Sequence, residues 1–186
     1  MAIKTFTTGE VLTASDTNTY LANSGLVYVS STTFSASTGV EMQNCFSSTY
    51  DNYLLNITYY GSASTNTSWQ FMSGTNTKDT SATYTRFGYY WTTFINNFNA
   101  VSQNFQFFTN HGTTAADYSD GQITVYRPNV SGVRTNATVK SWAADSGLGV
   151  YLDTTQPNTT QYTGFYLFPS SGNITGTITV YGFRKP

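Results

Sequence analysis

The stretch Ile174-Thr175-Gly176-Thr177-Ile178-Thr179-Val180-Tyr181 alternates with a period of two. Ile174, Ile178 and Val180 fall on one side, and Thr175, Thr177, Thr179 and Tyr181 on the other. That period belongs to a β-strand whose two faces meet different surroundings. The same period recurs along the chain. Tyr53, Leu55, Ile57 and Tyr59 share a face, Trp69 and Phe71 flank Gln70, Phe105 and Phe107 flank Gln106, and Ile123 and Val125 flank Thr124. About nine or ten such segments are expected, separated by turn residues such as Pro169-Ser170-Ser171-Gly172-Asn173, the spacing of an all-β sandwich or barrel.

Composition narrows the choice. The 186 residues hold 34 Thr, 20 Ser and 16 Asn but only two Glu, Glu10 and Glu41, a poor recipe for helices. Aromatic residues make up 17% and charged residues 9%, the reverse of a disordered chain. The fold class read here is all-β: an antiparallel β-sandwich, jelly-roll-like, with a short N-terminal helix or anchor segment. Its expected core includes Leu55, Ile57, Trp69, Phe71, Val125, Val139, Phe165, Leu167, Ile178 and Val180.

The first 25 residues read differently from the rest. Thr13-Ala14-Ser15-Asp16 has capping-box spacing, with Asp in place of the usual Glu or Gln. It opens a short helix through Leu21 and Ala22, which Asn23-Ser24-Gly25 stops. Either this helix folds onto the domain or it is a separate docking segment. The second reading divides the chain into an anchoring or oligomerisation segment, 1–25, and a β-sandwich domain, 26–186. Candidate anchor residues are Phe6, Val11, Leu12, Tyr20 and Leu21.

The charges argue mainly by what they exclude. Eight Lys and Arg are scattered singly against nine Asp and Glu, a net charge of −1, so phosphate-driven nucleic-acid binding is not expected. No apolar run is long enough for a membrane span, and the N-terminus has no secretory pattern. One cysteine, Cys45, gives no intrachain disulfide framework. Six N-x-[ST] sequons, at Asn56, Asn66, Asn129, Asn136, Asn158 and Asn173, follow from the abundance of their component residues. The sequence has no nucleotide fingerprint, P-loop or zinc motif, and no cofactor or metal is expected. His111, in a polar loop, is expected to be solvated, and no carboxylate falls in an apolar strand interior where burial would raise its pKa. The chain is therefore read as non-enzymatic.

Polar loops are expected at Gly61–Ser68, Gly74–Thr83, Asn110–Gly121, Gly132–Ala137 and Asp153–Thr160, and the first three are candidate contact loops. Tyr84, Phe87, Tyr89, Tyr90 and Trp91 crowd one segment. Tyr89, Tyr90 and Trp91 are consecutive, so one strand face cannot bury all three. Tyr84, Tyr89, Tyr90 and Trp91 are candidate ligand or interface residues, suited to stacking on sugar rings or to a subunit contact. His111, Asp117 and Asp120, from the Asn110–Gly121 stretch, join them.

Two stretches carry a resemblance. The leader from Phe6-Thr7-Thr8-Gly9-Glu10 through Tyr20-Leu21-Ala22-Asn23 resembles the start of many tailed-bacteriophage virion proteins, especially from aquatic phages. The body is similar to a β-sandwich module of phage fibre-like proteins. The matching pieces are Tyr50-Asp51-Asn52-Tyr53-Leu54, Gly74-Thr75 with Tyr84 and Tyr89-Tyr90-Trp91, and the close from Tyr162-Thr163-Gly164-Phe165 to Val180-Tyr181-Gly182-Phe183. In that close Gly176 and Gly182 fall on the inward face, where glycine allows close backbone approach. Arg127-Pro128-Asn129 and Asn96–Asn110 depart from the pattern.

The resemblance implies a structural protein on the virion surface, assembled in the host cytoplasm, as a fibre or spike component. Its expected partners are other virion proteins through the N-terminal segment, further copies of itself in a homotrimer, and a host cell-surface glycan. The alternative is a capsid decoration or tail-structural protein that binds only other virion proteins. The resemblance implies no catalytic residue.

Overall fold

The structure is a computed structural model and describes residues 7–16 and 25–185. Thirteen strands follow one short helical turn, α1 (Ala14–Asp16). They are β1 (Leu26–Ser37), β2 (Val40–Met42), β3 (Asn52–Gly61), β4 (Thr65–Met72), β5 (Tyr84–Trp91), β6 (Ile95–Asn97), β7 (Ala100–Gln103), β8 (Gln106–His111), β9 (Ser119–Tyr126), β10 (Thr135–Ala143), β11 (Leu148–Gln156), β12 (Gly164–Pro169) and β13 (Ile174–Phe183).

Eight of these make the underlying roll. One sheet contains the order β1-β13-β3-β9 and the other is β2-β12-β4-β8, with every pairing antiparallel. Matching order in two sheets means that strand pairs wind together through the sandwich, the arrangement of a jelly roll. Two insertions enlarge the first sheet alone. β10 and β11 add beyond β9, then β5 adds beyond β11, with β6 and β7 on its free side, making nine strands. The chain is an antiparallel, jelly-roll-like β-sandwich with one face extended.

Alternation explains why these segments pair this way. All ten core residues expected from the sequence are buried. Trp69 stacks on Phe165 at 5.6 Å and Phe71 on Tyr162 at 4.8 Å, joining β4 to β12 and its approach. Gly182 is buried, and a Cβ there would meet the Tyr50 ring at 2.3 Å. Parts of the Thr/Ser-rich stretches expected as loops are strand instead, because threonine favours the pleated surface, while Gly74–Thr83 stays outside the strands. Only residues 62–64 separate β3 from β4, and β10 and β11 each absorb part of an expected loop.

One end is held by a polar cluster. The Tyr162 hydroxyl donates to Asp79, and the Gln156 amide donates to the same carboxylate oxygen at 2.8 Å. The other oxygen accepts from the Ser81 backbone at 3.0 Å and from its hydroxyl. Burial raises the pKa of the Tyr162 phenol, and the Asp79 carboxylate adds to that rise.

At α1 the capping contacts are reciprocal. The Asp16 N–H donates to Thr13 Oγ1 at 3.1 Å, and the Thr13 N–H donates to Asp16 Oδ2 at 3.2 Å. Val11 and Leu12 are exposed. Phe6, Tyr20 and Leu21 lie outside the described residues, as does the expected continuation of the helix.

Candidate ligand-binding face

The alternation that buries Leu55, Ile123, Val139 and Leu152 turns their neighbours outward. On the nine-stranded sheet these outward residues fall into register across β3, β9, β10, β11 and β5. One row reads Thr58, Asp120, Trp142, Gly149, Trp91. The next reads Asn56, Gln122, Lys140, Tyr151, Tyr89, and a third Leu54, Thr124, Thr138, Asp153, Phe87. The half built on the roll strands is polar apart from Leu54. The half built on the inserted strands carries five aromatic side chains.

Four of these aromatics are exposed and Tyr151 is half-buried. Trp142 is 46% exposed, Trp91 36%, Tyr89 50% and Phe87 55%. Trp142 and Trp91 flank Gly149 from either side, two strand spacings or about 10 Å apart. Gly149 is necessary there, because a Cβ built on it would sit 2.1 Å from Trp91 Cε2. Without a side chain at 149, the Trp91 indole lies across the neighbouring strand and presents an apolar plane.

Polar groups sit between the rings. Thr58 Oγ1 donates to Asp120 Oδ1 at 2.6 Å and Thr138 Oγ1 to Asp153 Oδ1 at 2.9 Å, fixing both carboxylates on the face. The Lys140 ammonium lies 5.8 Å from the Tyr151 ring centre. The Gly88 N–H donates to Asn99 Oδ1 at 3.2 Å, holding that amide beside the rings. Three recesses open along the face. One of about 330 Å³ is lined by Phe87, Tyr89, Asn97, Asn99, Tyr151 and Asp153. One of about 340 Å³ lies over Asn56, Thr58, Asp120 and Gln122. One of about 470 Å³ sits at the sheet's end, among Asn52, Tyr126, Arg127 and Asn136.

The chemistry is that of a platform. Flat apolar rings with interspersed amides, hydroxyls and carboxylates match a ligand whose C–H faces alternate with hydroxyls. Asp120 and Asp153 are two strands and four residues apart, about 16 Å at Cα from strand geometry.

Of the candidates read from the sequence, Tyr89, Trp91 and Asp120 meet on this face. Tyr84 does not. It is fully buried and stacked on Phe71, its hydroxyl accepts from the Phe71 N–H at 3.0 Å, and burial raises its pKa. Tyr90 turns inward and half-buried, edge-on to Phe98 at 5.7 Å. Asp117 accepts the Thr114 hydroxyl in the turn before β9, away from the rows.

The expectation of a solvated His111 is corrected. It ends β8 fully buried, edge-on to Tyr59 at 5.6 Å and packed against Gly61, where a Cβ would lie 1.9 Å from the ring. Burial lowers its pKa below the ordinary histidine value. Trp142, Tyr151 and Asp153 were not among the sequence candidates. The signal for Trp142 was present: Ala137 and Val139 turn inward, so Lys140 and Trp142 turn outward.

No family model matches the chain, and no curated protein matches it. Among solved structures it is similar to a marine PL-14 alginate lyase from Aplysia kurodai, at 10% identity over 76% of this chain and 72% of that one, TM-score 0.35. A single-site variant of congerin II matches at 11% identity over 75% of this chain and 97% of that one, TM-score 0.34. A protein of unknown function from Shewanella oneidensis MR-1 matches at 11% identity over 96% and 97%, TM-score 0.32. Likenesses this weak carry no weight for function.

Proposed function

We propose that this chain is a non-enzymatic structural protein of a tailed-phage virion, a fibre or spike component that meets the host through the outer face of its nine-stranded sheet. The observation behind the contact surface is the aromatic half of that face, with Trp142 and Trp91 flanking Gly149. A host cell-surface glycan suits it, since sugar rings stack on indole and phenol planes while their hydroxyls bond to Asn, Thr and Asp. The virion assignment is supported by the two sequence resemblances. The leader, with Val11 and Leu12 exposed, is the proposed attachment to other virion proteins.

The contact surface differs from the loops expected at first. Loops position binding residues in many folds, but here the exposed rings project from strands, whose geometry holds them at fixed spacing.

Two experiments test the proposal. Particles lacking this chain should remain intact but lose host adsorption; particles that fail to assemble would contradict the host-contact role. A chain without residues 1–25 should fold yet fail to enter particles, and normal incorporation would refute the anchor.

A further inference from the structure

Beyond the aromatic face, the free side of β5 carries a different surface. β6 pairs with Tyr89–Trp91 and β7 with Tyr84–Arg86, and no further strand among the described residues covers them. From Phe87 to Ala116 the sequence holds no Lys, Arg, Asp or Glu. Natural sheet edges are usually blunted by charge, proline or a covering loop. Here three strongly exposed apolar side chains stand on or beside the edge instead: Phe94, in the turn before β6, and Ile95, each 76% exposed, and Val101, 59%. The edge has a firm base. Phe98, between β6 and β7, packs edge-on against Tyr90 and Phe107 at 5.7 and 5.1 Å, and the Arg86 guanidinium lies 4.6 Å over its ring.

We propose that the β6–β7 edge, with Phe94, Ile95 and Val101 at its centre, is a contact between copies of this chain. The complement of an uncharged apolar edge is another uncharged apolar edge. A strand edge offers both N–H and C=O groups, so a second edge of the same kind satisfies it. A net charge of −1 leaves little repulsion between copies. The patch offers no cation for nucleic acid or an acidic partner, and no anion for a basic one. The opposite edge, β1, breaks its register twice, at Tyr28/Ser30 and Phe34/Ser37, against the single break at Tyr84/Arg86 where β7 pairs with β5. The contact borders the aromatic face, since Ile95 pairs with Trp91 and Asn97 with Tyr89, but Phe94, Ile95 and Val101 are not among the proposed glycan contacts, and its test reads association in the absence of glycan.

The test is sedimentation of the full chain at micromolar concentrations, wild type beside the Ile95→Lys/Val101→Lys double variant and Phe94→Ser. All three positions are exposed, and near-UV circular dichroism checks that each variant keeps the fold. The expected result is an associated wild type, with association weakened at least a hundredfold in the double variant and detectably in Phe94→Ser. A monomeric wild type overturns the proposal. So does association that survives the double variant, or depends only on residues 1–25. Co-sedimentation of the wild type with phosphatidylcholine vesicles, lost in the double variant while self-association persists, overturns it in favour of a lipid surface.

Discussion

The indole of Trp91 lies across Gly149 on the adjoining strand, where a Cβ would stand 2.1 Å from Cε2. Gly149 has no positive φ among the backbone exceptions, so alanine fits its backbone and only the indole must move. Gly149→Ala should therefore displace the ring from the sheet. Tryptophan fluorescence will shift, glycan affinity will fall at least about tenfold, about 1.4 kcal/mol, and stability will change by less than about 1 kcal/mol. Unfolding by urea beside a binding titration separates the two effects.

Truncating the rings themselves should act on binding alone. Trp142→Ala and Trp91→Ala each remove a side chain that is partly open to solvent. Each should weaken glycan binding about tenfold or more, as aromatic anchors do, and move stability by about 1 kcal/mol at most. The two losses should not sum if one sugar segment spans both rings.

His111 makes the fold acid-sensitive in a defined direction. Its pKa in the folded chain lies below the ordinary value near 6.5 because burial penalises the imidazolium. Between the two values the unfolded chain binds the extra proton, so stability rises with pH across that window. Its contribution is complete above about pH 6.5 and is lost progressively as pH falls below that. Urea unfolding at a series of pH values should show this slope in the wild type and a shallower one in His111→Gln. Equal slopes would mean that another group carries the dependence.

The Asp79 cluster gives a prediction away from the face. Tyr162→Phe removes a hydroxyl that donates to a carboxylate, while Gln156 and Ser81 keep their bonds to it. The cost should be about 1.5–3 kcal/mol, the range for hydrogen bonds to charged groups. Urea unfolding measures it, and a change under about 0.5 kcal/mol would mean that the cluster relaxes around the loss.

These residues also mark how far the sequence can be read. Ile178, Val180, Leu55 and Ile57 were legible because their alternation reports a single buried face. His111 was misread because polar neighbours say nothing about what packs over a strand end. The glycine that makes room for its ring, Gly61, lies 50 positions earlier in the chain. The rows on the outer face were hidden for a related reason. Trp142 and Trp91 come together only because β11 pairs with both β10 and β5, a register set by tertiary pairing. Tyr84 and Tyr89 looked alike in one crowded segment. Their separation by an odd number of positions puts them on opposite faces, which becomes informative once the start of β5 is known.

The direct test of the central claim is a titration of the full chain with purified host cell-surface polysaccharide, followed by tryptophan fluorescence and calorimetry. The wild type and the Trp91→Ala/Trp142→Ala variant are compared, both shown to be folded. The account predicts saturable binding with altered indole emission in the wild type, and loss of at least a hundredfold in affinity, about 2.7 kcal/mol, in the variant. Absence of binding by the folded wild type, or equal binding by both proteins, would contradict it.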